Sequence, residues 1–376
     1  MATIDSHSSF IDKLKPSLQR RLLALDGGGI RGAITLEILA AIEEIVRRKL
    51  GRADALLADY FDYIAGTSTG AIIATGLSLG MSVAEMRRFY VEVGPEMFSR
   101  AGVLRRFHYK FDQDRLAAQL KAVFGADTRL GSQKLRTLLM LVMRNATTDS
   151  PWPVSNNPKA VFNDPERSDC NLNLPLWQLV RASTAAPTYF PPEVVRVGDH
   201  EFLFVDGGVT MYNNPAFQLF LMATIEPYRL EWPTGRDRML LVSVGTGANP
   251  KANAHLRPED IHLLYNASSI PSALMFAALN QQDLLCRVFG DCLAGGDLDL
   301  EIGHLRGKSS SAQEKLFTYV RYSPELSEQG LERLGLSSIR AEQVQALDSV
   351  EHVEDLQRVG RALAEREVHE SHFAGF

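Results

Sequence analysis

The sequence predicts an α/β fold with a mostly parallel central sheet and a helical C-terminal part. Three observations point to it. Arg21-Leu22-Leu23-Ala24-Leu25 is an apolar strand that ends in a glycine loop and feeds a long amphipathic helix. Phe61 to Thr67 repeats that order, passing through the turn Gly66-Thr67-Ser68-Thr69-Gly70 into the apolar helix Ala71-Ile72-Ile73-Ala74-Thr75. Further apolar runs, Leu138 to Met143, Phe202 to Val205 and Met239 to Val244, each close on a polar or glycine-rich turn. Strands alternating with helices build parallel sheets, because a parallel return needs a crossover as long as a helix.

Taken in order, Met1 to Arg20 reads as a leader segment with a short helical turn around Phe10 to Leu14. After the first strand, Ile34, Ile38, Ile42, Val46 and Leu50 recur at helical spacing. Arg47, Arg48 and Lys49 occupy the last turn and Gly51 stops it. Ser82-Val83-Ala84-Glu85 is a capping box for the next helix. Gly102 to Phe111 mixes aromatic and basic residues; it reads either as a segment that touches a membrane surface or as an ordinary half-packed one. Asp112 to Phe124 is amphipathic and helical. Asn145 to Pro175, rich in Asn, Asp, Ser and Pro, is expected to be irregular, with one short strand around Ala160 to Phe162. Leu176 to Ala186 is a helix stopped by Pro187. Beyond Ala252 the chain is mostly helical, with a strand-like piece at Lys315 to Tyr322 and a final helix around Val350 to Glu367. The expected organisation is a leader over residues 1–20, an α/β core over 21–250 and a mostly helical part over 251–376 packed on that core.

Composition narrows the function classes. The 376 residues are 45% hydrophobic and 23% charged with a net charge of −5, so no global basic field invites a nucleic acid polymer. Cys170, Cys286 and Cys292 show no metal-ligand spacing and are too few for a disulfide framework, which fits a reducing compartment. No apolar core of a signal peptide stands in the first 20 residues, and no run approaches the ~18 apolar residues of a membrane span. A cytoplasmic location is the expectation.

Chemistry concentrates at three glycine-bounded turns. Gly66-Thr67-Ser68-Thr69-Gly70 matches G-x-S-x-G, the sharp strand-to-helix turn that pushes a serine Oγ out at the top of a sheet. Any side chain at Gly66 or Gly70 is expected to collide with the neighbouring strand or helix. Asp26-Gly27-Gly28-Gly29-Ile30-Arg31-Gly32 offers free backbone amides at a helix start, an anion cradle. By the letter it is also a dinucleotide fingerprint, with Asp54 about 20 residues on. Asp54 precedes the second strand instead of ending it, so a tetrahedral oxyanion fits the loop better. Asp206-Gly207-Gly208 ends a strand where the backbone can approach another loop closely. Its carboxylate could take the Ser68 proton directly, as a two-residue form of the base-activated nucleophile. The competing arrangement is a triad with one of His255, His262, His304, His352, His369 or His372, of which His304 is the least easily dismissed.

Together these three turns resemble the patatin-like phospholipase family of lipid acyl hydrolases. The resemblance runs from about Leu22 to Gly247. It includes Ala182-Ser183-Thr184-Ala185-Ala186-Pro187 and Asn213-Asn214-Pro215. It implies a patatin-like three-layer α/β/α fold, Ser68 as nucleophile, Asp206 as base, and the amides of Gly27, Gly28 and Gly29 as oxyanion donors. Arg31 falls where the family commonly has Arg or Lys, and Gly66, Gly70, Gly207 and Gly208 support the turns. The implied substrate is a membrane glycerolipid ester, hydrolysed without metal at the membrane surface. Leu77, Leu79 and Met81, or Leu274, Met275 and Phe276, either line an acyl trough or belong to the core. Similar bacterial proteins act as membrane-degrading effectors in antiphage defence when a cyclic nucleotide binds. On that alternative, residues after Ala252 hold the sensor for a cyclic nucleotide activator, or a homo-oligomer contact.

Overall fold

The computed structural model describes residues 6–98, 109–187, 189–248 and 263–376. The chain opens with α1 (Ser6–Leu14), β1 (Arg20–Leu25), α2 (Gly32–Leu50), α3 (Leu57–Tyr60), β2 (Tyr63–Thr67), α4 (Thr69–Ser78), α5 (Val83–Phe98) and α6 (Tyr109–Phe124). It continues through β3 (Leu138–Asn145), β4 (Ser150–Ser155), α7 (Leu176–Ser183), β5 (Glu193–Val197), β6 (His200–Asp206), α8 (Ala216–Thr224) and β7 (Met239–Val244). Last come α9 (Leu263–Phe289), β8 (Gly290–Ala294), β9 (Phe317–Tyr322), α10 (Glu328–Arg333), α11 (Ala341–Gln345) and α12 (Val353–Glu367).

Among the described residues, nine strands form one sheet in the order β5-β6-β3-β2-β1-β7-β9-β8, with β4 paired to β3. The centre, β3-β2-β1-β7-β9, is parallel throughout, and β4, β5 and β6 add antiparallel pairs at one side. Side chains alternate faces along each strand, and the core splits accordingly. Leu23, Leu25, Ile64, Leu139, Leu141, Val242 and Val320 pack with Ile38 and Ile42 of α2, Ile72 of α4, Leu179 of α7 and Val359 of α12. Leu22, Ala24, Tyr63, Ala65, Met140, Leu241 and Tyr319 pack with Leu219 and Phe220 of α8 and Cys286 of α9. Helices thus cover both faces, and the three-layer α/β/α arrangement expected from the sequence is what the chain forms. The sheet continues across residue 250: β9 pairs with β7 and β8 closes the edge.

The leader carries a nine-residue helix, α1, instead of a single turn. Lys13 anchors it, its ammonium donating to the carbonyls of Ala58 and Phe61 just before β2; burial pushes that amine down to about 8. The stretch after β3 differs from expectation. Its strand is Ser150–Ser155, paired antiparallel with β3, and Val161–Asn163 is a 3-10 turn. Two prolines, Pro151 and Pro153, disguise β4. Standing two residues apart, their missing N–H groups fall on one edge of the strand, which leaves pairing on the other edge intact. The capping box at Ser82 forms as read, with Glu85 N–H donating to Ser82 Oγ at 3.2 Å and Ser82 N–H to Glu85 Oε2 at 2.8 Å. Most of Gly102 to Phe111 lies outside the described residues.

Helix α12 crosses α2 closely because Gly360 brings the two backbones together. A methyl group there would sit 2.7 Å from the Ile34 carbonyl oxygen. Gly360→Ala should destabilise the fold by about 1–3 kcal/mol, the usual cost of overpacking, and a thermal melt within 1 °C of wild type would contradict this packing account.

Candidate active site

Ser68 stands between β2 and α4 with φ 54° and ψ −122°, in the left-handed half of backbone space that a non-glycine residue rarely adopts. Such a turn keeps only if its surroundings hold it. The Ser68 amide donates to Ser183 Oγ at 2.9 Å, and Ser183 Oγ donates to the Val142 carbonyl at 2.6 Å. Ser183, at the end of α7, therefore ties the elbow to β3. The flanking glycines are required sterically: a methyl at Gly66 would overlap the Gly70 carbonyl, and one at Gly70 would overlap the Leu25 carbonyl of β1. Both collisions anticipated from the motif are present.

Strand register brings the second residue in. β2 runs parallel to β3 and ends with Thr67 opposite Val142. β6 runs antiparallel to β3 and ends with Asp206 opposite Met143. The two strands thus run toward each other along β3 and finish at consecutive positions. Ser68 Oγ donates to Asp206 Oδ2 at 2.6 Å. Asp206 Oδ1 accepts from Gly208 N–H at 2.6 Å, and the Asp206 amide donates to the Ala185 carbonyl at 2.9 Å. Gly207 has no room for a methyl against the Val142 carbonyl. Ser68 and Asp206 are both buried.

Burial pushes the Asp206 carboxyl up to about 6; the Ser68 and Gly208 hydrogen bonds and the charge of Arg181 act against that rise. Arg181 of α7 is fully buried, with its guanidinium 5.1 Å from the Phe190 ring centroid and Nη2 donating to the Pro191 carbonyl at 3.2 Å. Nothing in the G-x-S-x-G or D-G-G patterns signals Ser183 or Arg181. Ser183 falls within the Ala182–Pro187 segment of the family resemblance, which by itself assigns that hydroxyl no task.

The glycine loop packs directly on Ser68: a methyl at Gly27 would lie 3.1 Å from Ser68 Cβ. Its amides are not equivalent. Gly27 N–H donates to the Asn213 carbonyl at 3.1 Å, Ile30 N–H to the Leu347 carbonyl at 3.0 Å and Arg31 N–H to the Gly28 carbonyl at 3.2 Å. The amides of Gly28 and Gly29 have no acceptor among the described residues, and they stand at the entrance to α2 through a 3-10 turn, Gly29–Arg31. Of the three donors inferred from sequence, Gly27 is already engaged, which leaves Gly28 and Gly29. Gly29 has φ 60°, and its Cα faces the Leu347 carbonyl too closely for any side chain. Burial lowers the Arg31 guanidinium to about 10, with the charge of Asp26 opposing the drop.

The other sequence candidates lie elsewhere. Asp54 pairs with Arg52 in an exposed turn. His304 accepts from Arg306 N–H, His352 faces Asp355, and His372 bonds Tyr322 OH at 2.7 Å; His369 meets the His372 ring edge-on. His255 and His262 lie outside the described residues. Leu77 is core, Leu79 and Met81 pack partly against it, and Leu274 is exposed. Among the described residues no group of side chains could hold a metal ion, and no helix is long and apolar enough to cross a membrane.

A family model described as patatin-like phospholipase matches residues 23–220, and the chain belongs to that family. It is 30% identical over 233 residues to a cGAMP-activated phospholipase of Escherichia coli (strain TW11681), covering 60% of this chain and 62% of that protein. Patatin-17 of Solanum cardiophyllum is 32% identical over 243 residues, 60% of each chain. A cGAMP-activated phospholipase of Vibrio cholerae is 33% identical over 212 residues, covering 53% of this chain and 56% of that one. This chain therefore spans about six-tenths of the length of these relatives. Human GIVD cytosolic phospholipase A2 shares the fold with a TM-score of 0.52 at 13% identity, over 98% of this chain and 62% of that one.

The raised Asp206 carboxyl has a consequence for stability. Its folded value, about 6, lies above the ordinary 3.8, so the fold binds the proton more tightly than the unfolded chain and loses stability as pH rises through that window. Asp206→Asn keeps the shape and removes the buried charge. It should stabilise the fold at pH 8 by up to about 3 kcal/mol, with the gain shrinking toward zero at pH 4. A melting difference that does not change with pH would contradict the assignment.

Proposed function

We propose that this protein is a serine lipid acyl hydrolase that cleaves carboxylic esters of glycerolipids or glycerophospholipids through an acyl-enzyme on Ser68, with Asp206 as base. The observation that carries the reading is the 2.6 Å hydrogen bond from Ser68 Oγ to Asp206 Oδ2. In the first step Asp206 takes the Ser68 proton while Oγ attacks the ester carbon. The carbonyl oxygen becomes an oxyanion beside the amides of Gly28 and Gly29. As the C–O bond to the alcohol breaks, Asp206 returns the proton to the leaving oxygen. Water then loses a proton to Asp206, attacks the acyl carbon, and releases the fatty acid as Ser68 regains its proton. Each well-placed donor contributes on the order of 3 kcal/mol to such a transition state. Membership of the patatin-like phospholipase family supports lipid esters as the substrate class, and the site of action proposed is the membrane surface from the cytoplasmic side.

Ser68→Ala should reduce hydrolysis of a fluorogenic acyl ester and of mixed phospholipid vesicles to background. Asp206→Asn should cost on the order of 10³-fold in kcat, as expected for loss of a general base. Since only the ionised carboxylate accepts the proton, kcat/KM should fall tenfold per pH unit below about 6. Survival of Asp206→Asn at near wild-type rate would replace the dyad with another base.

A second reading concerns control, and two relatives named as cGAMP-activated phospholipases favour it. On this reading the chain is a membrane-degrading effector of bacterial antiphage defence, switched on by a cyclic dinucleotide and assembled as a homo-oligomer. Added cGAMP should raise the vesicle hydrolysis rate at least tenfold and change the oligomeric size. A rate and size unaffected by cyclic dinucleotides would contradict it.

A further inference from the structure

The glycine loop is held from both ends by residues beyond position 220, where the family match stops. At its start, Asp26 follows the last residue of β1, and its carboxylate is completely buried. The partner is Arg321, two strands away on β9. Register explains the reach: Ala24 of β1 lies opposite Ser243 of β7, and Ser243 lies opposite Arg321. The guanidinium crosses over β7, donating from Nη1 to Ser243 Oγ at 2.7 Å on the way. It closes a two-pronged contact on Asp26, with Nη1 to Oδ1 at 2.8 Å and Nη2 to Oδ2 at 2.5 Å. Such a fork fixes direction as well as distance, which an ammonium cannot do. Behind it, Tyr319 donates its hydroxyl to Asp283 of α9 at 3.0 Å, and Asp283 is clasped by Arg287 at 2.8 and 2.9 Å. At the far end of the loop the Leu347 carbonyl accepts from Ile30 N–H.

We propose that Arg321 is a positioning residue for catalysis: by clamping Asp26 it aims the Gly28 and Gly29 amides at the place where the ester oxygen becomes charged. The proposal rests on the reading of those amides as oxyanion donors. It gives β9 a task in the reaction, although the side-chain hydrogen bonds of Arg321 go to Asp26 and Ser243 and not to Ser68 or Asp206. An unclamped loop still leaves Ser68 and Asp206 in contact, because their register is set by β3, so ground-state binding should survive while transition-state stabilisation falls.

The test compares wild type with Arg321→Lys, which keeps the buried charge and loses the fork, and with the doubly neutral Asp26→Asn/Arg321→Gln. In ester hydrolysis, Arg321→Lys should lower kcat about tenfold or more with KM within about twofold, since loss of one oxyanion donor costs 10²–10³-fold. Hydrogen exchange, read without turnover, should show the Gly27 and Ile30 amides exchanging about tenfold faster in both variants while β2 stays as protected as in wild type. A kcat within about twofold of wild type, or unchanged exchange at Gly27 and Ile30, would overturn the proposal. If wild type hydrolyses no ester, the hydrolase reading fails, and exchange alone then decides whether Arg321 holds the loop.

Discussion

The whole site depends on the edge of one strand. β3 receives β2 from one direction and β6 from the other, and the two end at neighbouring positions, Val142 and Met143. A hydroxyl and a carboxylate separated by 138 residues in sequence are thereby brought into a hydrogen bond. Ser183 adds a second tie to the same place, accepting from the Ser68 amide and donating to the Val142 carbonyl. The strained backbone at Ser68, worth roughly 1–3 kcal/mol in such turns, persists because helix, strand and hydroxyl all hold it at once.

Burying charge beside that contact has opposing effects. A carboxylate out of water resists ionisation, and the rise of Asp206 to about 6 shows that burial outweighs the two hydrogen bonds and Arg181 together. That value leaves the group ionised at neutral pH yet close enough to it to exchange protons readily. Arg181 has its own cost. Its Nε and Nη1 find no hydrogen-bond partner among the described residues, so the Nη2 bond to Pro191, stacking on Phe190 and the nearby charges of Glu193 and Asp206 are what offset its burial.

Much of this was legible from the residues themselves. The glycine spacing around Ser68 announced a turn with no room for side chains, and the periodicity from Ile34 to Leu50 announced α2. Asp206 stood out as a carboxylate at a strand end before two glycines. What could not be read was anything depending on pairing between distant strands. β8 has only five residues and no distinctive pattern, and β4 is hidden by Pro151 and Pro153. The Gly27 amide looks identical to its neighbours in sequence. Only the Asn213 carbonyl, brought in by the turn after β6, removes it from the set of free donors. Arg321 is one arginine among many until the strand order β1-β7-β9 places it over Ser243 and against Asp26.

The central claim is that one point in the fold gathers a nucleophile, a base and two free amides. It is tested most directly by a crystal structure of the protein after reaction with an alkyl fluorophosphonate, which leaves a tetrahedral phosphonyl group on the nucleophile. The account predicts a covalent bond to Ser68 Oγ, with one phosphonyl oxygen about 3 Å from the nitrogens of Gly28 and Gly29 and the bond between Gly27 and Asn213 intact. An adduct on Ser68 whose oxygen turns away from both amides, or one on another residue, would contradict it.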